Sequence, residues 1–341
     1  MPKNKIGFRV DANEQIATGH LMRCVAIASE LKKQGSECIF FLAEEKMTDV
    51  LVRNKFSYHV LNTDWRRMES EIDVLKEQIK CLHLNWLVVD SYQATDTYLS
   101  SIEQMVPVLY VDDMASEAYH VSALLHYSQW PGDNSYEKKY QHSQVKLLSG
   151  MKYAPLREEF CGVHSLKRER SIMLTTGGTD TYNVAGQILQ YCITNQIFQD
   201  FEFHVIVGRL NHNIEMLRVY EQTRKNVHLH VDIRNISEYM RTCSYAVSAG
   251  GTTLFELCAC RIPTVCFSFA DNQKEFVKEM GKHHIMLSVG DARERENIAK
   301  DICEALSLYE RTPGIKREYI ENMSKLVDGN GTKRIAGFLR G

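Results

Sequence analysis

The fold is first indicated by residues 5–24, KIGFRVDANEQIATGHLMRC. The apolar run at the start of this stretch is typical of a buried strand, and the polar middle is typical of a loop. Apolar residues then recur at helical spacing from Leu21 to Leu31, which predicts a helix that Gly35 ends. A strand, a polar loop and a helix in this order form the repeating unit of a parallel α/β sheet.

The same alternation continues along the chain, with amphipathic windows between many short apolar runs. We predict strands at residues 5–10, 37–42, 58–61, 86–90, 107–111, 123–126 and 145–148, and again at 171–176, 202–207, 227–231, 245–248, 264–269 and 285–288. Strand–helix alternation sustained over this length predicts α/β domains whose parallel sheets are covered by helices on both faces.

The pattern restarts near residue 170, after a polar and charged stretch at 150–170 that we interpret as a linker. We predict two doubly wound, Rossmann-like domains that face each other across a cleft, at residues 1–160 and 165–310. We expect the charged helical segment at 311–341 to pack back on the first domain.

Composition excludes several classes of protein. Of the 341 residues, 44% are hydrophobic and 25% are charged, which is ordinary for a globular chain and too apolar for a disordered one. The formal charge is −2, so no basic excess indicates nucleic acid as a partner. Ten scattered cysteines without a Cys-x-x-Cys pair are typical of buried thiols in a reducing cytosol. With no apolar run of 18 residues, we predict a cytoplasmic protein that does not insert stably into membranes.

The loop before the first helix carries the first candidate catalytic residue. Thr18 is well placed to cap the helix, which puts Gly19 and His20 in its first turn. Unpaired amides and the positive end of the helix dipole make such a turn a site for anions. The same field disfavours an imidazolium, so we expect His20 to be neutral and able to accept a proton. The alternative is that His20 only hydrogen-bonds the loop at 11–16.

A second candidate site lies in the sequence SAGGTTLFE, which starts at Ser248. Its two glycines let backbone amides approach a pyrophosphate closely, and its two threonine hydroxyls can donate to the phosphate oxygens. The glutamate lies one turn into the predicted helix, on the same face, where it suits two ribose hydroxyls. The alternative is a tight strand–helix connection with a surface glutamate. The residues concerned are Gly250, Gly251, Thr252, Thr253 and Glu256.

Further polar clusters follow predicted strands. The trio Asp271-Asn272-Gln273 offers the donors and acceptors that sugar hydroxyls and acetamido groups need, although it would equally cap the next helix. Gly177 and Gly178 follow a strand and precede a helix, where they too can meet phosphate. Two strands of the first domain end in the polar residues Asp90-Ser91-Tyr92 and Asp112-Asp113.

Other motifs are absent or weak. The chain lacks the Gly-x-Gly-x-x-Gly, Walker A and Gly-x-Ser-x-Gly patterns at the needed places, which excludes dehydrogenase, P-loop kinase and serine hydrolase chemistry. His228 and His230 share a strand face without a third ligand nearby in sequence, so we expect no metal there. The Asp112-Asp113 pair would hold Mg²⁺ or, more commonly, cap the following turn.

Together these stretches resemble the UDP-2,4-diacetamido-2,4,6-trideoxy-β-L-altropyranose hydrolase family of pseudaminic acid synthesis. The resemblance is carried by the opening signature from Phe8 to Cys24, by residues 153–160 and by Gly177 to Asp180. The block from Ser248 to Gln273 is similar to the family's nucleotide-binding half and also to lipid-linked UDP-GlcNAc transferases. The resemblance covers residues 5 to about 290.

The resemblance implies a GT-B-like fold, with UDP held mainly by the second domain and the sugar toward the first. It also implies metal-independent hydrolysis at the anomeric carbon, which releases UDP and free 2,4-diacetamido-2,4,6-trideoxy-L-altrose or a close relative, without a cofactor. The family's catalytic positions fall on His20, Tyr92 and Asn272. We assign UDP binding to Gly177, Gly178, Gly250, Gly251, Thr252, Thr253 and Glu256, and sugar binding to Asp11, Gly19 and Gln273.

Three positions depart from the family pattern. Ala17 stands where Gly is usual, Ser91 where His is usual, and His126 where Asn is more common. These departures suggest a different sugar rather than a different reaction. Alternative functions are a GT-B glycosyltransferase with a UDP-sugar donor, a non-hydrolysing UDP-GlcNAc 2-epimerase, and a nucleotide-sugar binding protein with impaired catalysis.

Overall fold

A computed structural model describes residues 4–16, 18–115, 117–162, 168–208, 211–233 and 235–341. The chain divides into two compact units, of which the first comprises residues 1–161 with 329–341 and the second residues 162–328. Ala17 and residues 163–167 of the predicted linker lie outside the described residues.

The first unit alternates strands with helices as predicted. Its strands are β1 (Lys5–Val10), β2 (Glu37–Leu42), β3 (Ser57–Val60), β4 (Trp86–Asp90), β5 (Val108–Val111), β6 (Ala123–His126) and β7 (Lys146–Ser149). The α-helices between them are α1 (Gly19–Lys33), α2 (Asp49–Arg53), α3 (Ile72–Leu82), α4 (Asp96–Glu103) and α5 (Ser135–Lys139). Short 3₁₀ helices occur at Met68–Glu71, Met151–Tyr153 and Glu158–Phe160.

The strands of the first unit form one parallel sheet. Its order in the described residues is β3-β2-β1-β4-β5-β6-β7. From β1 the chain moves outward to β3 and then crosses back to β4, so the strand order reverses between β1 and β4. Val10 pairs with Asp90, which brings the carboxyl ends of these two strands level. The point of reversal is where open α/β sheets bind ligands.

The second unit repeats this plan with its own core. Its strands are β8 (Glu169–Thr175), β9 (Glu202–Val207), β10 (Val227–Val231), β11 (Cys243–Ala249), β12 (Thr264–Ser268) and β13 (Leu287–Asp291). Its α-helices are α6 (Val184–Thr194), α7 (Ile214–Thr223), α8 (Ile236–Thr242), α9 (Thr253–Ala259), α10 (Asp271–Lys282), α11 (Ile298–Arg311) and α12 (Pro313–Leu326). The parallel order is β10-β9-β8-β11-β12-β13, so the reversal lies between β8 and β11.

The last helix, α13 (Gly331–Arg340), belongs to the first unit. Ile335, Ala336 and Leu339 on this helix are fully buried, and α13 packs against α1. Gly331 lies so close to the Ala154 carbonyl that a Cβ would sit 2.1 Å from its oxygen. Residues 311–328, which the sequence analysis grouped with this segment, instead belong to the second unit as the end of α11 and as α12.

The predicted strands match the observed ones, with shifted bounds. The largest shift is at β13, predicted at 285–288 and observed at Leu287–Asp291. Ile285 and Met286 are buried because they close the end of α10, where both amides bond to the Met280 carbonyl. Their apolar character therefore reflects packing rather than strand pairing.

The distribution of cysteines agrees with the prediction of buried thiols. Eight of the ten cysteines are buried, Cys161 is half-buried and Cys81 is exposed. In the part of the chain that the structure describes, no helix combines the length and the apolar character needed to span a membrane.

A cluster of histidines lies on β9 and β10 of the second unit. His228 pairs in register with His204, and His204 Nδ1 lies 3.0 Å from His230 Nε2. Tyr239 packs on the His230 ring with centroids 4.4 Å apart. The neighbouring strand thus supplies a third imidazole that the sequence analysis did not foresee, yet the described residues contain no group of three or more His, Cys, Asp or Glu side chains arranged to hold a metal ion.

We expect acid to destabilise the protein through this cluster. Burial, together with the charges of His230 and His228, lowers the pKa of His204 from 6.5 to about 4. The unfolded chain binds this proton at a higher pH than the folded chain does, so stability is complete above the ordinary pKa and is lost as the pH falls toward the folded value. In urea titrations, His204→Gln should lose less unfolding free energy than wild type between about pH 7 and about pH 4.5. Equal losses in the two proteins would contradict this assignment.

Candidate active site

His20 lies at the reversal point of the first sheet. Helix α1 begins at Gly19, so His20 is in its first turn as predicted, although the Thr18 side chain caps no amide. The His20 ring is buried, and its Nδ1 lies 2.6 Å from Oδ1 of Asp90 at the end of β4. Through Nδ1 the ring therefore contacts the neighbouring strand rather than the loop at 11–16.

Asp90 is a fully buried carboxylate with strong partners. Arg23, one turn after His20 on α1, donates from Nε to Asp90 Oδ2 at 2.6 Å and from Nη2 to Oδ1 at 2.5 Å. Burial alone would raise the pKa of the Asp90 carboxyl, but the charge of Arg23 and the hydrogen bonds from Arg23 and His20 lower it well below its ordinary value. Asp90 is therefore ionised throughout the neutral range.

The ionised carboxylate decides which nitrogen of His20 carries the proton. A carboxylate only accepts hydrogen bonds, so we assign a proton on Nδ1 to the 2.6 Å contact with Asp90, the shorter of the two contacts of this nitrogen, since Arg23 Nη2 lies 3.0 Å away. Nε2 is then the basic nitrogen. A protonated ring would be held by Asp90 at Nδ1, which is the arrangement of a general base oriented by a buried acid.

Two tyrosines contact the partners of Asp90: Tyr92 packs on His20, and Tyr127 bonds to Arg23. Tyr92 packs edge-on against His20 with centroids 4.6 Å apart, and its hydroxyl donates to Asp113 Oδ2 at 3.0 Å. Arg23 Nη1 contacts the same Asp113 oxygen at 2.7 Å and the Tyr127 hydroxyl at 2.6 Å. Burial and the nearby Asp113 charge raise the pKa of Tyr92, so its phenol stays protonated and can donate.

A second buried charge network lies under the opening loop. Arg9 is fully buried and donates to both carboxylate oxygens of Glu71, at 2.5 and 2.8 Å. Arg9 Nη1 also reaches Asp11 Oδ2 at 2.6 Å, while Asp11 Oδ1 accepts the Ala43 amide at 2.8 Å. Both oxygens of Asp11 thus have protein partners, which favours a structural role beside the sugar-binding one predicted for it.

A pocket of about 210 Å³ opens beside His20 in the first unit. The pocket lies over the carboxyl ends of β1 and β4. Its lining combines His20, Asp90 and Tyr92 with polar amide side chains and an apolar wall. The sequence assigned no role to Arg23, which it placed only within the opening signature, or to Gln93 after the third strand-end residue, and gave no signal for Glu71 and Trp65. The lining residues are Asp11, Gln15, Ile16, His20, Trp65, Asp90, Ser91, Tyr92 and Gln93.

Other residues predicted near the first site have different roles. A Cβ at Gly19 would meet no atom within 4 Å, so space alone does not require glycine there. Ser91 Oγ accepts the Gln93 amide at 3.2 Å, and His126 Nδ1 lies 2.6 Å from the Asp112 carbonyl. Asp112 Oδ1 accepts the amides of residues 114 and 115, which is the turn-capping role rather than the magnesium one.

The second unit brings three predicted motifs to one place. Gly177 follows β8 and Gly250 follows β11, the two strands at the reversal point. A Cβ on Gly250 would lie 2.7 Å from Val277 and 3.0 Å from Gln273 Cβ, so the first turns of α10 pack directly on this glycine. Gly177 has a φ of +90°, which favours glycine, and faces the Phe269 ring.

Backbone amides near these loops are partly occupied. The Asp180 carboxylate accepts the amides of Val184 and Ala185, so the first two amides of α6 already have an acceptor. Gln273 Oε1 accepts the Phe269 amide at 3.0 Å. Asn272 is exposed in the first turn of α10. The N-cap of this helix is Ala270, and no side chain of residues 271–273 makes a capping hydrogen bond.

The Gly-Gly-Thr-Thr stretch leads into α9. Thr252 is exposed at the N-cap, and Thr253 begins the helix half-buried. Glu256 is half-buried one turn further on. Gly178 is exposed, and its backbone lies within 3.1 Å of where a Cβ on Gly208 would be. The UDP-binding candidates therefore share one edge of the second sheet.

Two bacterial proteins named as hydrolases are similar to most of this chain. A UDP-2,4-diacetamido-2,4,6-trideoxy-beta-L-altropyranose hydrolase of Campylobacter jejuni is 22% identical over 282 residues, covering 82% of this chain and 96% of that protein. A Helicobacter pylori protein named pseudaminic acid cytidylyltransferase and UDP-2,4-diacetamido-2,4,6-trideoxy-beta-L-altropyranose hydrolase is 23% identical over 317 residues. The predicted family resemblance is confirmed.

Two of the relatives are longer than this chain. The match covers 89% of this chain and 53% of the Helicobacter pylori protein. An uncharacterized protein of Methanocaldococcus jannaschii is 24% identical over 300 residues, which are 82% of this chain and 60% of that protein. The chain thus spans little more than half the length of these two relatives. No protein-family model matches it.

Solved structures share the fold over nearly the whole chain. MurG of Acinetobacter baumannii has a TM-score of 0.68 at 11% identity and covers 99% of both chains. The Staphylococcus aureus MnaA–UDP co-structure has a TM-score of 0.64 at 10% identity, with 99% of this chain and 96% of that chain covered. These likenesses confirm the predicted GT-B-like fold of two Rossmann-like domains.

Breaking the buried Arg9 pair should destabilise the first unit. Arg9→Met leaves Glu71 and Asp11 without their shared partner, and removing one member of a buried pair costs about 3–5 kcal/mol. The loss is measured as the free energy of unfolding in urea. Arg53→Met, which removes an exposed pair with Asp49 on α2, is the matched control and should change stability little. Similar small effects of both variants would argue against a structural role for Arg9.

Proposed function

We propose that this protein hydrolyses a UDP-linked diacetamido-trideoxyhexose at its anomeric carbon and releases UDP and the free sugar. The observation that carries the proposal is the 2.6 Å contact between His20 Nδ1 and the buried Asp90 carboxylate, beside a pocket at a sheet reversal point. The two hydrolases among the relatives supply the substrate class. The proposal extends to a role in nonulosonic acid synthesis in the cytoplasm.

His20 acts as the general base in this proposal. Its Nε2 takes a proton from a water molecule as the water oxygen bonds to the anomeric carbon, while the bond from that carbon to the phosphate oxygen breaks. The electron pair of the broken bond leaves with UDP. Asp90, Asp113 and Arg23 together carry one net negative charge, which the imidazolium formed on His20 would balance.

Tyr92 and Asn272 are the other residues proposed to act at the reacting centre. Tyr92 meets the His20 ring edge-on, and its phenol oxygen, whose proton is donated to Asp113, can accept a hydrogen bond from the water or a sugar hydroxyl. Asn272 and Gln273 offer amides to the acetamido groups. For Asp11 and Gly19, the proposal is contact with the sugar next to His20. The family resemblance supports hydrolysis without a metal ion and with inversion at the anomeric carbon.

The second unit is proposed to hold UDP. The glycine loops after β8 and β11 can direct backbone amides at the diphosphate, and the threonine hydroxyls at the start of α9 can add donors. Because the Asp180 carboxylate occupies the first amides of α6, we assign the phosphate contacts to the loop backbone rather than to that helix. The residues proposed are Gly177, Gly178, Gly250, Gly251, Thr252, Thr253 and Glu256.

Replacing the proposed base should abolish most turnover. His20→Asn removes the proton acceptor, and a positioned general base typically contributes about 10²–10⁴-fold. We expect kcat for UDP release to fall by that factor, with UDP affinity unchanged. The assay incubates the chain with candidate UDP-sugars and no acceptor, and follows UDP by mass spectrometry and the first anomer by NMR.

The outcomes of this assay separate the alternatives. Near-wild-type turnover by His20→Asn would remove His20 as the base. Sugar transfer only when an acceptor is added would favour a glycosyltransferase, and tight UDP binding without product would favour a binding protein.

Replacing the proposed ribose ligand Glu256 should weaken UDP binding and affect turnover less. Glu256→Ala removes the proposed ribose acceptor, and a hydrogen bond involving a charged group corresponds to roughly 10- to 100-fold in affinity. We expect UDP binding, measured by calorimetry, to weaken by that factor with kcat less affected. Glu275→Ala, on the exposed face of α10, is the matched control and should bind UDP normally. Unchanged affinity of Glu256→Ala would remove this residue from the site.

A further inference from the structure

The polar groups at the base of the His20 pocket already have protein partners. Asp90 is held by Arg23 and His20, and Asp11 is held by Arg9 and the Ala43 amide. These carboxylates are therefore poorly placed to select one sugar from another. Discrimination between sugars therefore depends on the residues that line the walls of the pocket.

One wall of the pocket is apolar and firmly held. Trp65 and Ile16 line the pocket from two different loops. The Arg66 guanidinium lies 4.5 Å from the Trp65 ring centroid, and its Nη2 donates to Gln15 Oε1 at 2.8 Å. Arg66 thus joins the loop that carries Trp65 to the loop that carries Ile16.

The loop of Trp65 is also fixed from its other side. The Asp64 carboxylate accepts the Arg66 amide at 3.0 Å, and the Arg67 amide bonds to the Asp64 carbonyl at 2.9 Å. The backbone hydrogen bond to Arg66 contributes most to lowering the pKa of Asp64, against the opposing effect of burial. The indole is therefore presented by a closed turn rather than by an unrestrained side chain.

We propose that Trp65, with Ile16, determines specificity by receiving the methyl group at C6 of a 6-deoxyhexose. An indole face and an alkyl side chain offer apolar contact and no acceptor, so the hydroxyl of a hydroxymethyl group there would lose the hydrogen bond that it donates to water. An acetamido group fits this wall less well, because its N–H and C=O also need partners. Among the groups of the proposed substrate, the C6 methyl is the one that carries no polar atom.

This inference rests on the proposed function for the identity of the sugar, but it is tested by binding. Two UDP-sugars that differ only at C6 serve as probes, UDP-N-acetylglucosamine and its 6-deoxy counterpart. Calorimetry on the full chain carrying His20→Asn prevents turnover during the titration. We expect the 6-deoxy sugar to bind about 10- to 100-fold more tightly, the range for a small group in an apolar pocket.

Two variants at one position attribute the preference to the wall. In the same background, Trp65→Gln should bring the two affinities within a few-fold of each other. Trp65→Phe keeps an aromatic wall and should retain most of the preference. Thermal unfolding of both variants checks that the loop substitution has left the fold intact. Equal affinities before substitution, no binding of either sugar, or a preference that survives Trp65→Gln would each overturn the inference.

The unsubstituted chain separates this inference from the hydrolase proposal. No UDP release from a UDP-linked diacetamido-trideoxyhexose, with a binding preference that follows Trp65, would remove the hydrolase function and leave the wall in place. UDP release with a preference independent of Trp65 would support the hydrolase function and overturn the inference about Trp65.

Discussion

The first unit depends on how one buried carboxylate is compensated. Asp90 ends a strand in the middle of a parallel sheet, where an unpaired charge would be very costly. Arg23 and His20 meet that cost from successive turns of α1, so the pairing also sets the rotation of this helix against the sheet. The same contacts orient the imidazole and leave its Nε2 without a contact to Asp90. Stability and the proposed chemistry thus share one set of hydrogen bonds.

Local pattern was enough to predict the elements of the fold. Parallel strands buried on both faces appear in the sequence as short apolar runs, and the helices between them have one apolar face. The position of His20 in a first helical turn followed from Thr18 and Gly19 in the same way. The strand order did not follow, because it depends on which edge of β1 the chain returns to after β3.

The partners in the site are distant in the sequence. Asp90 lies 70 residues after His20, and Glu71 lies 62 residues after Arg9. Neither contact leaves a local signal, since each is made by sheet pairing or by a loop crossing the sheet edge. Trp65 is harder still to predict, because it lies in an irregular segment without periodicity. In the second unit, glycine patterns predicted the loops but not that the Asp180 carboxylate would occupy the start of α6.

The position of α13 has a consequence for the order of biogenesis. Residues 162–328 are contiguous, so the second unit needs no segment from elsewhere in the chain to complete its core. The first unit was begun earlier but lacks the helix that covers α1 until residue 340 has been made. The helix bearing His20 therefore gains this packing partner only after the whole second unit has been translated, so an early part of the chain waits for a segment made after residues 162–328.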